Sequence, residues 1–204
     1  MNKSETIASY LLDCGAVSLR PDNYYTWVSG IKSPIYCDNR VTISFPEIRR
    51  YITKAFVDMI ENNYPDVDAI IGTATAGIPQ ACWVSDVLDL PMAYVRSGHK
   101  AHGKGQQIEG KLNENSQVIV IEDLISSGKS SIEVCQALEE QGHHVLAVLS
   151  IFTYELSRAQ TAFEKADIQV KSLSNYSDLI RIAQEKHVIT EKDLNILAQW
   201  NKTI

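Results

Sequence analysis

The sequence predicts an α/β domain with a central, mostly parallel sheet flanked by helices and a small N-terminal hood. Three observations lead to that class. Helical and extended patterns alternate from about residue 67 to the end of the chain. The extended segments VDAIIG (67–72), PMAYVR (91–96), QVIVIED (117–123) and HVLAVLSIF (144–152) are nearly all apolar, as strands buried on both faces must be. Residues 1–65 do not follow the alternation well, so they are expected to form the hood, within a single domain spanning 1–204.

In chain order, Ser4 can cap a first helix carrying Ile7, Leu11 and Leu12, with Gly15 closing it. A second helix starts near Pro46 and carries Ile48, Ile52, Phe56, Met59 and Ile60 at helical spacing. GIPQACWVSDVLD (77–89) and residues 129–141 read as helices between strands. A helix near 156–165, a strand at 168–173 and a helix at 176–187 follow. A last helix runs from 191, where Thr190 and Asp193 have the spacing of a capping box.

The chain has 204 residues, 45% of them hydrophobic, enough for one real core without a disulfide or metal staple. Cys14, Cys37, Cys82 and Cys135 are far apart and form no C-x-x-C pair, so they are expected to be buried free thiols of a reducing compartment. The N-terminus lacks the apolar core of a signal peptide, and no stretch approaches the ~18 apolar residues of a membrane span. A cytoplasmic protein without membrane contact is expected. The net charge of −6 argues against nucleic-acid binding, which needs a basic face, and makes any local basic cluster more informative.

The strongest chemical signal is VIVIEDLISSGKSS (118–131). An apolar strand runs into the paired acids Glu122 and Asp123, then into a loop of small polar residues that opens a helix. Ligands of parallel sheets bind beyond the carboxyl ends of the strands. Backbone N–H groups and hydroxyls at a helix start suit a phosphate. The two carboxylates would repel that phosphate, so they must face hydrogen-bond donors or developing positive charge, and a ribose offers both. A nucleotide P-loop would need glycine at 123, where Asp123 stands. The bland alternative is a strand ending in a solvated acidic turn.

The second signal is RSGHKAHGKGQQIEGK (96–111). It holds four of the chain's ten glycines, and Arg96, Lys100, Lys104 and Lys111 against Glu109 give a local +3 in an acidic protein. It reads either as a solvated hairpin or as a closing loop that stabilises a departing polyanion. His99 and His102 lack the carboxylate or cysteine neighbours of a zinc site, and a histidine near a departing phosphate reads as a donor or general acid.

These segments carry a resemblance. VIVIEDLISSGKS resembles the phosphoribosyl pyrophosphate (PRPP) motif of type I phosphoribosyltransferases, and Arg96, Lys100, His102, Gly103 and Gly105 match the mobile loop of orotate phosphoribosyltransferases. YTWVSGIKSPIY (25–36) resembles that family's base-binding segment, matching at Thr26, Ser29, Gly30, Ser33, Pro34 and Tyr36. GTATAGIP (72–79) resembles its pyrophosphate loop.

The resemblance implies the type I phosphoribosyltransferase fold. It implies transfer of phosphoribosyl from PRPP to orotate in pyrimidine biosynthesis, with Mg2+ carried by PRPP and no direct protein ligand. It implies a homodimer that shares loop 96–111 with the partner's site. Lys100, His102 and Asp123 would be catalytic. Arg96, Lys100, His102, Glu122, Asp123, Leu124, Ile125, Ser126, Ser127, Gly128, Lys129 and Ser130 would bind PRPP. Ser126 and Tyr36 would take orotate, and Thr75, Ala76 and Gly77 the pyrophosphate. The chain departs from many members at Val28, Ala76 and Ser97, where they carry lysine, and at Thr153, which aligns with an arginine. The alternatives are a phosphoribosyltransferase for another base and a PRPP-binding regulator without catalysis.

Overall fold

The computed structural model describes residues 1–27, 29–96 and 107–204. Helix α1 (Lys3–Asp13) leads into the short strands β1 (Val17–Leu19), β2 (Tyr25–Thr26), β3 (Lys32–Ser33) and β4 (Ile35–Cys37). A 3-10 helix (Asn39–Ser44) and α2 (Pro46–Asn63) follow. The alternating part comprises β5 (Ala69–Thr73), α3 (Gly77–Leu88), β6 (Met92–Val95), β7 (Ile108–Glu109), β8 (Gln117–Ile125), α4 (Lys129–Glu139) and β9 (His144–Thr153). It closes with α5 (Ser157–Ala166), β10 (Val170–Asn175), α6 (Tyr176–Glu185) and α7 (Glu191–Thr203).

The main sheet has the order β10-β9-β8-β5-β6-β7, and only β7 is antiparallel to its neighbour. Its apolar strands feed two cores because successive side chains point to opposite faces. Ile70, Ile119 and Ile121 join one core with Ile7, Leu11, Ile52, Phe56 and Leu179. Ala69, Ile71, Val118 and Val120 join the other with Val134, Leu138, Ala159 and Phe163. Helices α1, α2, α3, α6 and α7 thus supply one covering layer, and α4 and α5 the other. The α1–α6 seam carries ion pairs from Arg181 to Glu5 at 2.6 Å and from Lys186 to Asp13 at 2.5 Å.

Several expected boundaries shift. Asn2, rather than Ser4, caps α1: its side chain accepts from the Glu5 N–H at 2.9 Å, and Glu5 returns the bond to the Asn2 N–H at 2.8 Å. Ser4 Oγ instead donates to Asp178 at 2.6 Å. Thr190 and Asp193 do form a capping box. Strand β8 continues two residues past its acids because β9 still runs beside it, pairing Leu124 with Phe152 and Ile125 with Thr153. Cys37 and Cys135 are buried, but Cys82 is exposed on the outer face of α3. No described helix is long and apolar enough to cross a membrane.

Candidate active site

The predicted phosphate cradle lies where β8 ends and α4 begins. Gly128 caps α4 with φ +76 and has no side chain to cap it; the Lys129 N–H makes only a long 3.5 Å contact to Ser127 Oγ, so the first-turn amides keep most of their donor capacity. A Cβ at Gly128 would come within 2.6 Å of Phe163 Cε2, so glycine is required there by both backbone and packing. Ser126 and Ser127 are half-buried at the turn, while Lys129 and Ser130 are exposed. The Lys129 amine lies 3.8 Å from Glu133, one turn along the helix. Leu124 and Ile125 belong to the strand, and the Ile125 carbonyl accepts from the Tyr154 N–H at 3.1 Å.

The paired acids differ in setting. Glu122 is 6% exposed and is held from three elements. Its Oε1 accepts from Thr73 Oγ1 at 2.6 Å and from the Asp123 N–H at 3.1 Å, and its Oε2 accepts from Ser131 Oγ at 3.0 Å. It therefore braces β5 and the start of α4 against β8. Asn39 Nδ2 donates to the Asp123 main-chain carbonyl at 2.7 Å, but no side chain among the described residues donates to its carboxylate. Burial first, and the neighbouring Glu122 carboxylate second, push the Asp123 carboxyl up to about 7. Hydrogen-bond donors or positive charge brought to Asp123 would oppose that rise.

Thr75 and Ala76 link β5 to Gly77, the first residue of α3. The Ala74–Thr75 peptide is cis, and Ala76 caps α3 without a side-chain bond. A Cβ on Gly77 would collide with the Ile121 carbonyl and Thr73 Oγ1, so the glycine lets this turn lie directly against β8. The loop offers main-chain groups and no cation.

Tyr36 is 45% exposed on β4, with the Tyr25 ring 5.7 Å away. Behind it lies an aromatic cluster. Trp27 packs on Tyr154 at 4.7 Å and on Trp200 at 5.9 Å, and Trp200 Nε1 donates to the Lys32 carbonyl at 2.8 Å. Asn201 Nδ2 donates to the Tyr154 carbonyl at 2.6 Å. Sequence reasoning missed Thr73, Ser131, Asn39 and Tyr154 as site-building residues. Thr73, inside the segment 72–79, and Ser131, in the hydroxyl run itself, had a local signal; Asn39 and Tyr154 had none.

Arg96 stands at the mouth of the β6–β7 pair, where it bonds Glu109 at 3.1 Å. Lys100 and His102 lie outside the described residues, as do Val28 and the whole of 97–106. A cavity of about 600 Å³ lies beside the cradle, between α5 and the β9–β10 edge, lined in part by Ile125, Phe163, Glu155, Glu164 and Asp167. Its three acids, with no basic residue among its lining, make it a poor seat for a polyphosphate. No group of three or more described His, Cys, Asp or Glu side chains could hold a metal ion.

Comparison with known proteins gives a consistent picture. Residues 43–187 match the model of the family described as "Phosphoribosyl transferase domain". An orotate phosphoribosyltransferase of Fusobacterium nucleatum is 52% identical over 200 residues, covering 97% of this chain and 95% of that protein. One of Listeria innocua is 50% identical over 202 residues, covering 99% and 97%. Among solved structures, orotate phosphoribosyltransferase from Aeropyrum pernix superposes with a TM-score of 0.78 at 24% identity, covering 90% of this chain and 99% of that one. Leishmania donovani UMP synthase reaches 0.85 at 24% identity, covering all of this chain and 43% of that one. At that identity the two structures speak for the fold alone.

Proposed function

We propose how the site works in a chain that belongs to the phosphoribosyltransferase family and, within it, to the orotate phosphoribosyltransferases. The activity is transfer of the phosphoribosyl group of PRPP to orotate, giving orotidine 5′-monophosphate and pyrophosphate in pyrimidine biosynthesis.

The reading of the site rests on the junction of β8 and α4, where a largely buried acid stands beside a helix start whose cap, Gly128, has no side chain. The 5′-phosphate takes the main-chain amides of Ser126 through Ser130. Asp123 accepts hydrogen bonds from the ribose hydroxyls, and its charge favours the oxocarbenium character that develops as the C1–oxygen bond breaks. Glu122, with its oxygens already taken by Thr73, Ser131 and the Asp123 amide, acts through Asp123 by fixing it. Thr75, Ala76 and Gly77 approach the pyrophosphate with backbone alone. Orotate lies against Tyr36 near Ser126, and its ring nitrogen attacks C1 from the face opposite the leaving group, with no covalent enzyme intermediate. Lys100, His102 and Arg96 stabilise the departing pyrophosphate.

Mg2+ fits as a passenger of PRPP: no group of three or more described His, Cys, Asp or Glu side chains could hold it, and a magnesium ion commonly keeps water and substrate phosphates as ligands. When bound it supplies neutralisation of the leaving charge. The working unit is a homodimer in which loop 96–111 serves the partner's site. The groove between α2 and α3 carries both signs of charge, with Arg49, Arg50, Lys54, Asp58 and Glu61 on α2 and Asp86 on α3, which is compatible with a self-complementary two-fold contact. The four free thiols favour a reducing, cytoplasmic setting.

The test is loss of orotate absorbance on adding PRPP and magnesium, run beside uracil, adenine and hypoxanthine. Turnover is expected with orotate alone. Equal turnover with another base would overturn the assignment of Tyr36 and its segment to orotate.

A further inference from the structure

We propose that Asn39 and Tyr154 are positioning residues that mount Tyr36 at a fixed place relative to Asp123. The inference rests on the assignment of Tyr36 to orotate made above.

Strand β4, which carries Tyr36, pairs among the described residues only with β1, over three residues from Val17–Cys37 to Leu19–Ile35. A two-stranded ladder of that length does not hold its own position in water. Its place must be set by contacts from elsewhere, and two side chains make them on the C-terminal side of Tyr36. Asn39 is 2% exposed, and its Nδ2 donates to the main-chain carbonyl of Asp123 at 2.7 Å. The same side chain accepts from Cys37 Sγ at 3.2 Å, and the Asn39 carbonyl accepts from Thr42 Oγ1 at 2.6 Å, so the amide is oriented from both ends. Tyr154 is 3% exposed, and its hydroxyl accepts from the Cys37 N–H at 3.1 Å. Its own N–H donates to the Ile125 carbonyl at 3.1 Å.

Both tethers therefore end on one short stretch of β8, at Asp123 and Ile125, on either side of the residue between them. The peptide next to Tyr36 is fastened to the same strand end that holds the ribose acid. The Tyr154 ring is itself locked between Trp27 at 4.7 Å and Phe152 at 5.6 Å, so its hydroxyl has little freedom to move. In chemical terms, the base-binding ring and the sugar-binding acid are built onto one rigid frame, which sets where the attacking nitrogen stands relative to C1.

The experiment uses full-length wild type, Tyr154→Phe, Asn39→Ala and Tyr36→Ala, with initial rates measured against orotate and PRPP in turn. Tyr154→Phe removes only the acceptor and keeps the ring in its stack. Loss of one hydrogen bond worth roughly 1 kcal/mol corresponds to about fivefold. The expected result is a rise of about fivefold in KM for orotate in Tyr154→Phe and Asn39→Ala, with KM for PRPP within about twofold of wild type. In a Tyr36→Ala background, Tyr154→Phe should add no further change to the orotate KM. A purely structural role would raise both KM values together, or would add fully to Tyr36→Ala, and either result overturns the proposal. So does an unchanged orotate KM in Tyr154→Phe, which decides the matter if Asn39→Ala does not fold. Wild type without orotate turnover would instead sink the reading on which the inference stands.

Discussion

Replacing Gly128 with alanine adds one methyl group that meets two separate obstacles. The backbone there has φ +76, a left-handed conformation that costs an L-residue about 1–2 kcal/mol. The new Cβ would also stand 2.6 Å from Phe163 Cε2 and 3.1 Å from its Cδ2, inside a packed layer. Overpacking of that kind costs about 1–3 kcal/mol. Gly128→Ala should therefore destabilise the fold by roughly 2–5 kcal/mol, read from urea unfolding followed by circular dichroism. The two costs can be separated. Leucine at 163 lacks the ring-edge atom that the methyl meets, so Phe163→Leu should recover the packing part and leave the backbone part. The double variant should be more stable than the sum of the single changes by about 1–3 kcal/mol. Strict additivity within about 0.5 kcal/mol would refute the packing argument. A wild-type-like Gly128→Ala would refute both.

Asp123→Asn should gain stability relative to wild type as pH rises. A carboxyl with its folded pKa raised from 3.8 to about 7 leaves its contribution intact below about 4 and loses it as pH climbs through 7, so melts at pH 5 and pH 8 should differ by a few kcal/mol, about 2–4, with the variant favoured at pH 8. An equal difference at both pH values would contradict the raised Asp123 carboxyl. PRPP binding near pH 7 should release a proton, seen as a calorimetric heat that varies with buffer ionisation enthalpy. Ser131→Ala should cost about 1.5–3 kcal/mol by leaving Glu122 Oε2 with only the 3.5 Å contact from Ser130, and chemical denaturation tests this. Lys100→Ala should lower kcat by on the order of 10²–10³ while PRPP binding changes little, and near-normal turnover would remove its assigned role.

The frame of the molecule was legible because its signals are local. Apolar strands such as 118–121 and helices with turn-spaced apolar residues announce themselves within ten residues. The cradle was legible for the same reason, since acids, hydroxyls and glycine follow one another along the chain. What escaped is contact between distant positions. Thr73 and Glu122 are 49 apart in sequence, and Asn39 and Asp123 are 84 apart. No periodicity encodes which loop residue meets which strand end. The misplaced cap has a different origin. Asn2 and Ser4 are both competent caps, but Asn2 has Glu5 three residues on to complete a capping box, whereas Ser4 has Ile7. The strand end at Ile125 was hidden because Glu122 and Asp123 interrupt the apolar run, although the β8–β9 ladder continues past them to Leu124 and Ile125.

Trp200 and Asn201, four and three residues from the last position, reach back to Lys32 and to the Tyr154 carbonyl. The tail is thus a latch closed on the segment that carries Tyr36. Trimming the final five residues, or fusing a tag there without a spacer, would disturb substrate handling at a distance. A purification handle belongs at the other terminus.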